Sequence, residues 1–292
     1  MIEDLDGAES VLYPIRELQS KRRITKTVVH KDRKGTTKTI HLTVEGPVSV
    51  AGCTTQESIY EDNSNRSFLL YIDESAEQDR KIMQYQRLIS AGKVNVDGEI
   101  KAKDFLQSAQ MLLKQVKVIN PYAEHLELPQ SVFKPRRTNS HYLQLIESIT
   151  FYKQYQRESK FDTQTGEEYI ETTIEDIEEA NSLIHEVLLR KSDVLSGACR
   201  NFFEMLKTYL KTQSQTTFTN KEIRHILRIN TSNQKRYMIQ LQDAGLVHKS
   251  KGDKRNGYTY EVTTYEDYNN TTNQIEQLFN TTIKGLKVQS SS

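Results

Sequence analysis

Cysteine is nearly missing from this 292-residue chain: Cys53 and Cys199 are the only two, and they lie far apart. That argues against a disulfide framework or a thiolate metal cluster and for a reducing compartment. The seven His residues are scattered, with no HxxxH or CxxC pairing, so no metal site is expected. No apolar run approaches the length of a membrane span, and no charged-then-apolar signal segment opens the chain. A cytoplasmic protein with no membrane partner is the expectation. No Gly-x-x-x-x-Gly-Lys-Ser/Thr occurs either: the single Gly-Lys pair, Gly92-Lys93, has no second Gly at the right spacing and runs into Val94. Without such a loop there is no backbone cradle for nucleotide phosphates. No hydrolytic triad, spaced pair of catalytic carboxylates or nuclease-type metal cluster emerges.

What is present is a polar, charge-balanced composition, 36% hydrophobic and 27% charged, with formal net charge +1. The balance hides blocks. Between Ser20 and Glu45, Lys21, Arg22, Arg23, Lys26, Lys31, Arg33, Lys34 and Lys38 face only Asp32 and Glu45. From Phe161 to Glu186, Asp162, Glu167, Glu168, Glu171, Glu175, Asp176, Glu178, Glu179 and Glu186 meet no Lys or Arg. From Thr216 to Thr263 the chain is basic again. Such blocks suggest segments with different partners, and the acidic one reads best as a solvated face.

The opening Met1–Gly7 reads as the end of a buried strand whose body is missing, so the chain is expected to start inside a domain. Ala8 to Ile24 has helical periodicity with Pro14 inside it. Residues 25–45 alternate around Lys31-Asp32-Arg33-Lys34-Gly35 and predict a hairpin. Val48 to Ala51 and Phe68 to Ile72 read as short buried strands, which with the intervening helices suggests an α/β domain. Helices are expected over 75–116, interrupted near Gly92 to Gly98, and over Ser140–Gln156, Thr173–Leu189 and Arg200–Leu210. Thr173 is a candidate N-cap. Tyr152 and Tyr155, at helical spacing among apolar residues, read as core. The tail beyond Tyr268, rich in Asn and Thr, is expected to be partly helical and then disordered.

The most specific signal is C-terminal. Thr219-Asn220-Lys221-Glu222 caps a short helix to Leu227, Asn230 to Ser232 makes a turn, and Gln234 to Ala244 is a second helix closed by Gly245. Two strands follow, around Lys251 to Gly257. Helix, turn, helix and two-stranded wing is the order of a winged helix. A helix entering a major groove needs polar and basic residues on its outer face, which Asn233, Gln234, Lys235, Arg236 and Tyr237 supply. A wing beside a duplex needs a basic, Gly-containing strand pair, which Lys249, Lys251, Lys254 and Arg255 supply.

A resemblance adds to this. Ile2-Glu3-Asp4-Leu5-Asp6-Gly7, Arg16-Glu17-Leu18-Gln19-Ser20, Glu45-Gly46-Pro47-Val48 before Thr54-Thr55, Asn63-Ser64-Asn65-Arg66 before Phe68–Asp73, and Pro135-Arg136-Arg137-Thr138 occur in that order. Residues 1–160 thereby resemble the C-terminal part of an AAA+ ATPase core of the minichromosome-maintenance type, and more nearly the ATPase-like segments of primase-helicases carried by bacterial phages, plasmids and integrative elements. The resemblance implies that Glu3 and Asp4 end the Walker B strand, where acids hold magnesium and polarise water. Their order is inverted from the usual Asp-Glu, which leaves the division of roles open. It implies Thr54 or Thr55 as sensor 1, Arg66 as arginine finger, Arg136 or Arg137 as sensor 2, and a channel hairpin with Lys31, Arg33 and Lys34 at its tip.

The expected fold class is therefore mixed α/β and α. Residues 1–118 form a partial AAA+ core with its pre-sensor hairpin, 119–160 a helical lid, 161–212 a helical linker, 213–265 a winged-helix domain and 266–292 a flexible tail. ATP and magnesium are expected only where missing sequence or another chain supplies a P-loop. DNA is the expected partner, with a ring of copies in the complete protein and a primase implied by the resemblance. Whether this chain is itself an ATPase stays open. The rival readings are a non-enzymatic winged-helix replication initiator or regulator, and a scaffold that docks a partner on residues 162–186.

Overall fold

The computed structural model describes residues 2, 5, 9–31, 37–46, 48–54, 67–70, 72–73, 75–253 and 257–290, without the side chains of residues 9, 10 and 31. The chain is mixed α/β, mostly helical. It divides into two compact units, residues 1–67 and 68–292.

In the first unit, helix α1 (Glu9–Lys21) tolerates Pro14 and ends where Arg22 turns left-handed, at φ 55°. Strands β1 (Arg23–Lys31) and β2 (Thr37–Glu45) form the expected hairpin, in register from Arg23–Glu45 to Lys31–Thr37. Cross-strand side chains pair along it: Thr25 with Thr43 (3.1 Å) and Thr27 with His41 (3.0 Å). Every residue of β2 is exposed. The expected strand at Val48–Ala51 is not formed. A single parallel bridge joins Ile2 to Gly52, and Val48 and Val50 face solvent. A short apolar run makes a buried strand only where neighbouring strands flank it, and among the described residues none does.

The second unit opens with a further correction. Phe68 to Ile72 is predicted as a buried strand, yet its described residues are irregular, with Leu70 82% and Ile72 84% exposed. Helices α2 (Ala76–Ser90) and α3 (Val96–Met111) follow, capped by Ser75 and Asn95, whose side chains accept from the amides of Gln78 (3.2 Å) and Gly98 (2.9 Å). Neither buries a residue.

Two hydrophobic clusters hold the rest. The first joins α4 (Pro135–Tyr152), α5 (Ile174–Ser192) and α9 (Asp267–Ser290), with Ile146, Ile177, Ile184, Leu188, Ile275 and Leu286 at its centre. The Tyr142 hydroxyl donates to Asn181 at 2.6 Å, and its ring stacks on Phe279 at 5.9 Å. A small sheet, β3 (Lys117–Ile119), β5 (Glu168–Glu171) and β4 (Lys160–Phe161) in that spatial order, lies beside α4. So the tail is not disordered through residue 290. Its apolar residues at 275, 279, 283 and 286 recur at helical spacing and bury on α5. Nor is 161–212 a mere linker, since α5 is central to this cluster. Tyr152 and Tyr155 are not core: both are 60% exposed.

The acidic block is part solvated face and part buried. Asp176 is fully buried. It accepts from Lys153 (3.0 Å), Arg157 (2.5 Å), Thr150 (3.2 Å) and the Thr173 amide (3.1 Å) that it caps. Burial alone pushes its carboxyl up, but these donors outweigh that and hold it below the usual carboxylate range.

The second cluster joins α6 (Gly197–Gln213), β6 (Thr217–Thr219), α7 (Asn220–Ile226), α8 (Thr231–Asp243), β7 (Val247–Asp253) and β8 (Gly257–Val262). Its strands form an antiparallel sheet in the order β6-β8-β7, with an irregularity between Lys249 and Lys251. Arg200 of α6 bonds Asp193 (2.7 Å) and Asp267 (2.6 Å), so the two clusters share one buried ion network.

Candidate nucleic-acid interface

The helix–helix–hairpin unit is built from local signals. Thr219 and Glu222 form a capping box at the start of α7. The Asn230 side chain accepts from the Asn233 amide at 2.8 Å and starts α8, and Gly245, at φ 71°, ends it. The α8 helix then sorts its residues by period. Tyr237, Met238 and Leu241 bury against the Phe202, Phe203 and Phe218 core, while Thr231, Ser232, Lys235, Arg236 and Ile239 stay exposed.

This sorting corrects part of the expected contact face. Gln234 is only 3% exposed. Its amide donates to the Asn220 carbonyl at 2.6 Å and ties α8 to the start of α7. Tyr237 is buried, with its ring 5.4 Å from that of Phe202 and the Arg236 guanidinium 5.4 Å over its face. Neither can reach a groove. Asn233 is half-buried. Lys235 and Arg236 remain on the outer face, and Lys235 forms no ion pair among the described residues.

On the hairpin, Lys249 and Lys251 are exposed in β7, with the Lys249 ammonium 4.4 Å from the centre of the Tyr258 ring. Lys254 and Arg255 lie outside the described residues. The tight end is set by Gly252, at φ 103°, where an added Cβ would fall 2.1 Å from the Gly257 carbonyl oxygen.

The other expected site residues are spread out. Glu3, Asp4, Thr55, Arg66, Arg33 and Lys34 lie outside the described residues, as does the side chain of Lys31. Thr54 sits in irregular chain beside the exposed Cys53. Arg136 and Arg137 are exposed in the first turn of α4. Near them His141 is held below the usual imidazole range, chiefly by burial and then by the charges of Lys191 and Arg137. Among the described residues no group of three His, Cys, Asp or Glu side chains could hold a metal, and no helix is long and apolar enough to cross a membrane.

Arg224 and Arg228, which the expected contact face does not include, are both exposed just ahead of α8. The signal for them was the run from Ile223 to Gln242, which holds five cationic or His residues and no acid. No family model matches the chain, and no curated protein and no solved structure matches it either.

Proposed function

We propose that this chain binds double-stranded DNA through residues 213–265 acting as a winged helix, with α8 in the major groove and the β7–β8 hairpin against the phosphates. The observation that carries this reading is the division of α8. Its inner face is committed to the core, Lys235 and Arg236 project from the opposite face, and the stretch from Ile223 to Gln242 contains no acid. Lys249 and Lys251 add charge on the strand that follows. Arg and Lys at such positions read guanine edges or hold phosphates.

The test is binding of the full chain to labelled duplex across a salt series. Affinity should fall steeply with salt, and Lys235→Ala/Arg236→Ala should weaken it while leaving the melting temperature nearly unchanged. No binding at low salt would end this reading and favour the scaffold role for residues 162–186.

A second reading places the same DNA-binding unit in a replication protein of a mobile element, as the C-terminal part of a helicase-like ATPase that works in the cytoplasm. The exposed β1–β2 ribbon favours it, because the order of motifs calls for a hairpin there that reaches DNA. ATP and magnesium then bind only where another chain or further sequence supplies the P-loop, in a ring of copies that meets a primase. Lys31→Ala/Arg33→Ala/Lys34→Ala should weaken binding to forked DNA and spare plain duplex. Equal loss on both, or on neither, counts against it.

A further inference from the structure

We infer that α3 is the seam of a two-fold dimer, in which it packs antiparallel on α3 of a second copy. The inference stands apart from the DNA-binding reading and uses none of its residues. Helices α2 and α3, 15 and 16 residues long, bury none of their residues. A helix of that length draws most of its stability from a packed apolar face, and within one chain these two have none. The end of α3 is nevertheless held. The Tyr155 hydroxyl donates to the Leu112 carbonyl, and the Gln154 side chain accepts from the Lys114 amide (2.9 Å) and donates to its carbonyl (3.3 Å). The helix is thus fixed to the body of the second unit while its side chains stay bare.

Those side chains are sorted. Ala102, Phe105, Leu106, Ala109 and Leu112 recur at intervals of three, four and seven and line one face; Leu112 caps the helix at φ −79°, ψ −17°, still in phase. All five are exposed, Phe105 by 72% and Leu112 by 67%. From Phe105 to Leu113 there is no charged residue, whereas Asp97, Glu99, Lys101, Lys103 and Asp104 crowd the first half of the helix. A core depleted of charge beside a charged margin is the composition of a protein interface. The order of sizes names the occupant. A two-fold axis level with Gln107 sets Phe105 against Ala109 of the other copy, and Ala102 against Leu112. Every such layer pairs a large side chain with a small one, which lets the helices interdigitate. In-register parallel pairing would set Phe105 on Phe105 and Ala109 on Ala109, a clash and then a void. The area also suffices. Phe105, Leu106 and Leu112, with Ile82, Tyr85 and Ile89 at similar spacing on α2, leave on the order of 600 Å² exposed per copy, against about 800 Å² per partner, little over half of it apolar, in a standard interface. The Tyr85 hydroxyl donates to Glu99 at 2.7 Å and ties α2 to the seam helix. Such a pair closes at two copies, unlike a head-to-tail ring.

The experiment is sedimentation equilibrium of the full chain from low to high micromolar concentration. Wild type should associate to twice the chain mass and stop there. Ala109→Leu adds apolar surface but sets large against large at Phe105, so it should weaken the dimer by at least about tenfold. Phe105→Ala/Ala109→Phe inverts the order, sets large against small again and should return the affinity to within about threefold of wild type. Because α3 buries nothing within its own chain, both variants should melt with wild type at concentrations where all are monomeric. Wild type that stays monomeric throughout overturns the dimer. Ala109→Leu that associates as tightly as wild type, or more tightly, overturns the seam, since plain apolar adhesion rises with the added side chain. A double variant no better than Ala109→Leu overturns the antiparallel register. An assembly of more than two copies that Ala109→Leu leaves intact overturns the proposal as well.

Discussion

The chain builds two basic antiparallel hairpins, and they differ in what lies beneath them. In β1–β2 every residue of β2 is exposed, so Ile40, Leu42 and Val44 face solvent. In β7–β8, Val247, Tyr260 and Val262 are buried, and the Tyr260 ring stacks on Phe218 at 5.8 Å. The β1–β2 register is continuous, and β7–β8 carries one irregularity between Lys249 and Lys251. The lesson is that alternation and a Gly-bearing turn suffice to form a hairpin, while its stability and rigidity come from an apolar layer supplied by distant sequence, here chiefly α6. A supported hairpin can hold Lys249 and Lys251 in fixed places. In β1–β2 the half-buried positions among the described side chains are Ile24 and Val28, on the strand that meets α1, so its charges are held less firmly.

That contrast can be broken by substitution. The largest effect is expected under the supported hairpin. Phe203→Ala, which empties a fully buried aromatic site, should destabilise the second unit by about 3–5 kcal/mol in denaturant titration. Asp176→Asn comes next. It removes the charge that holds Lys153 and Arg157, and both cations keep some access to solvent, so about 1–3 kcal/mol is expected. The same carboxyl gives a pH signature. Its folded pKa lies below the unfolded value, so its contribution is present above the ordinary carboxylate range and is lost as pH falls through the folded pKa. Wild type should therefore weaken on acidification below about pH 4 more than Asp176→Asn does.

Smaller again is Gly252→Ala. The new Cβ would strike the Gly257 carbonyl at a left-handed position, and a loss of about 1–2 kcal/mol is expected with weaker hydrogen-exchange protection along β7. Smallest should be Leu42→Ala and Val44→Ala in the exposed ribbon, within about 0.5 kcal/mol of wild type. A cost near that of Phe203→Ala would mean that this ribbon has a packed face after all.

How much of this was legible in the sequence follows from how local each signal is. The caps at Thr173 and Thr219 and the Gly245 stop are each set within four residues, and each falls where the sequence puts it, whereas α8 begins at Thr231 behind an Asn230 cap, inside the stretch predicted as a turn. The strand predicted at Phe68–Ile72 fails because an apolar run says nothing about whether partners exist. The sheet that does form pairs Lys117 with Tyr169, fifty-two residues apart, through strands of two to four residues that carry no periodicity of their own. In α9, Asn and Thr dominate the composition and mask four apolar residues that decide its fate. The contact face of α8 was half legible. Lys235 and Arg236 were readable as basic, but Gln234 and Tyr237 lie one position either side and turn inward, which only the phase of the helix against its core determines.

The most direct test of the account is the salt dependence of duplex binding by wild type and by Lys235→Ala/Arg236→Ala. The account predicts steep salt dependence for wild type and a slope lower by up to about two for the variant, with an unchanged melting temperature. Equal affinity and equal slope for the two proteins would contradict it.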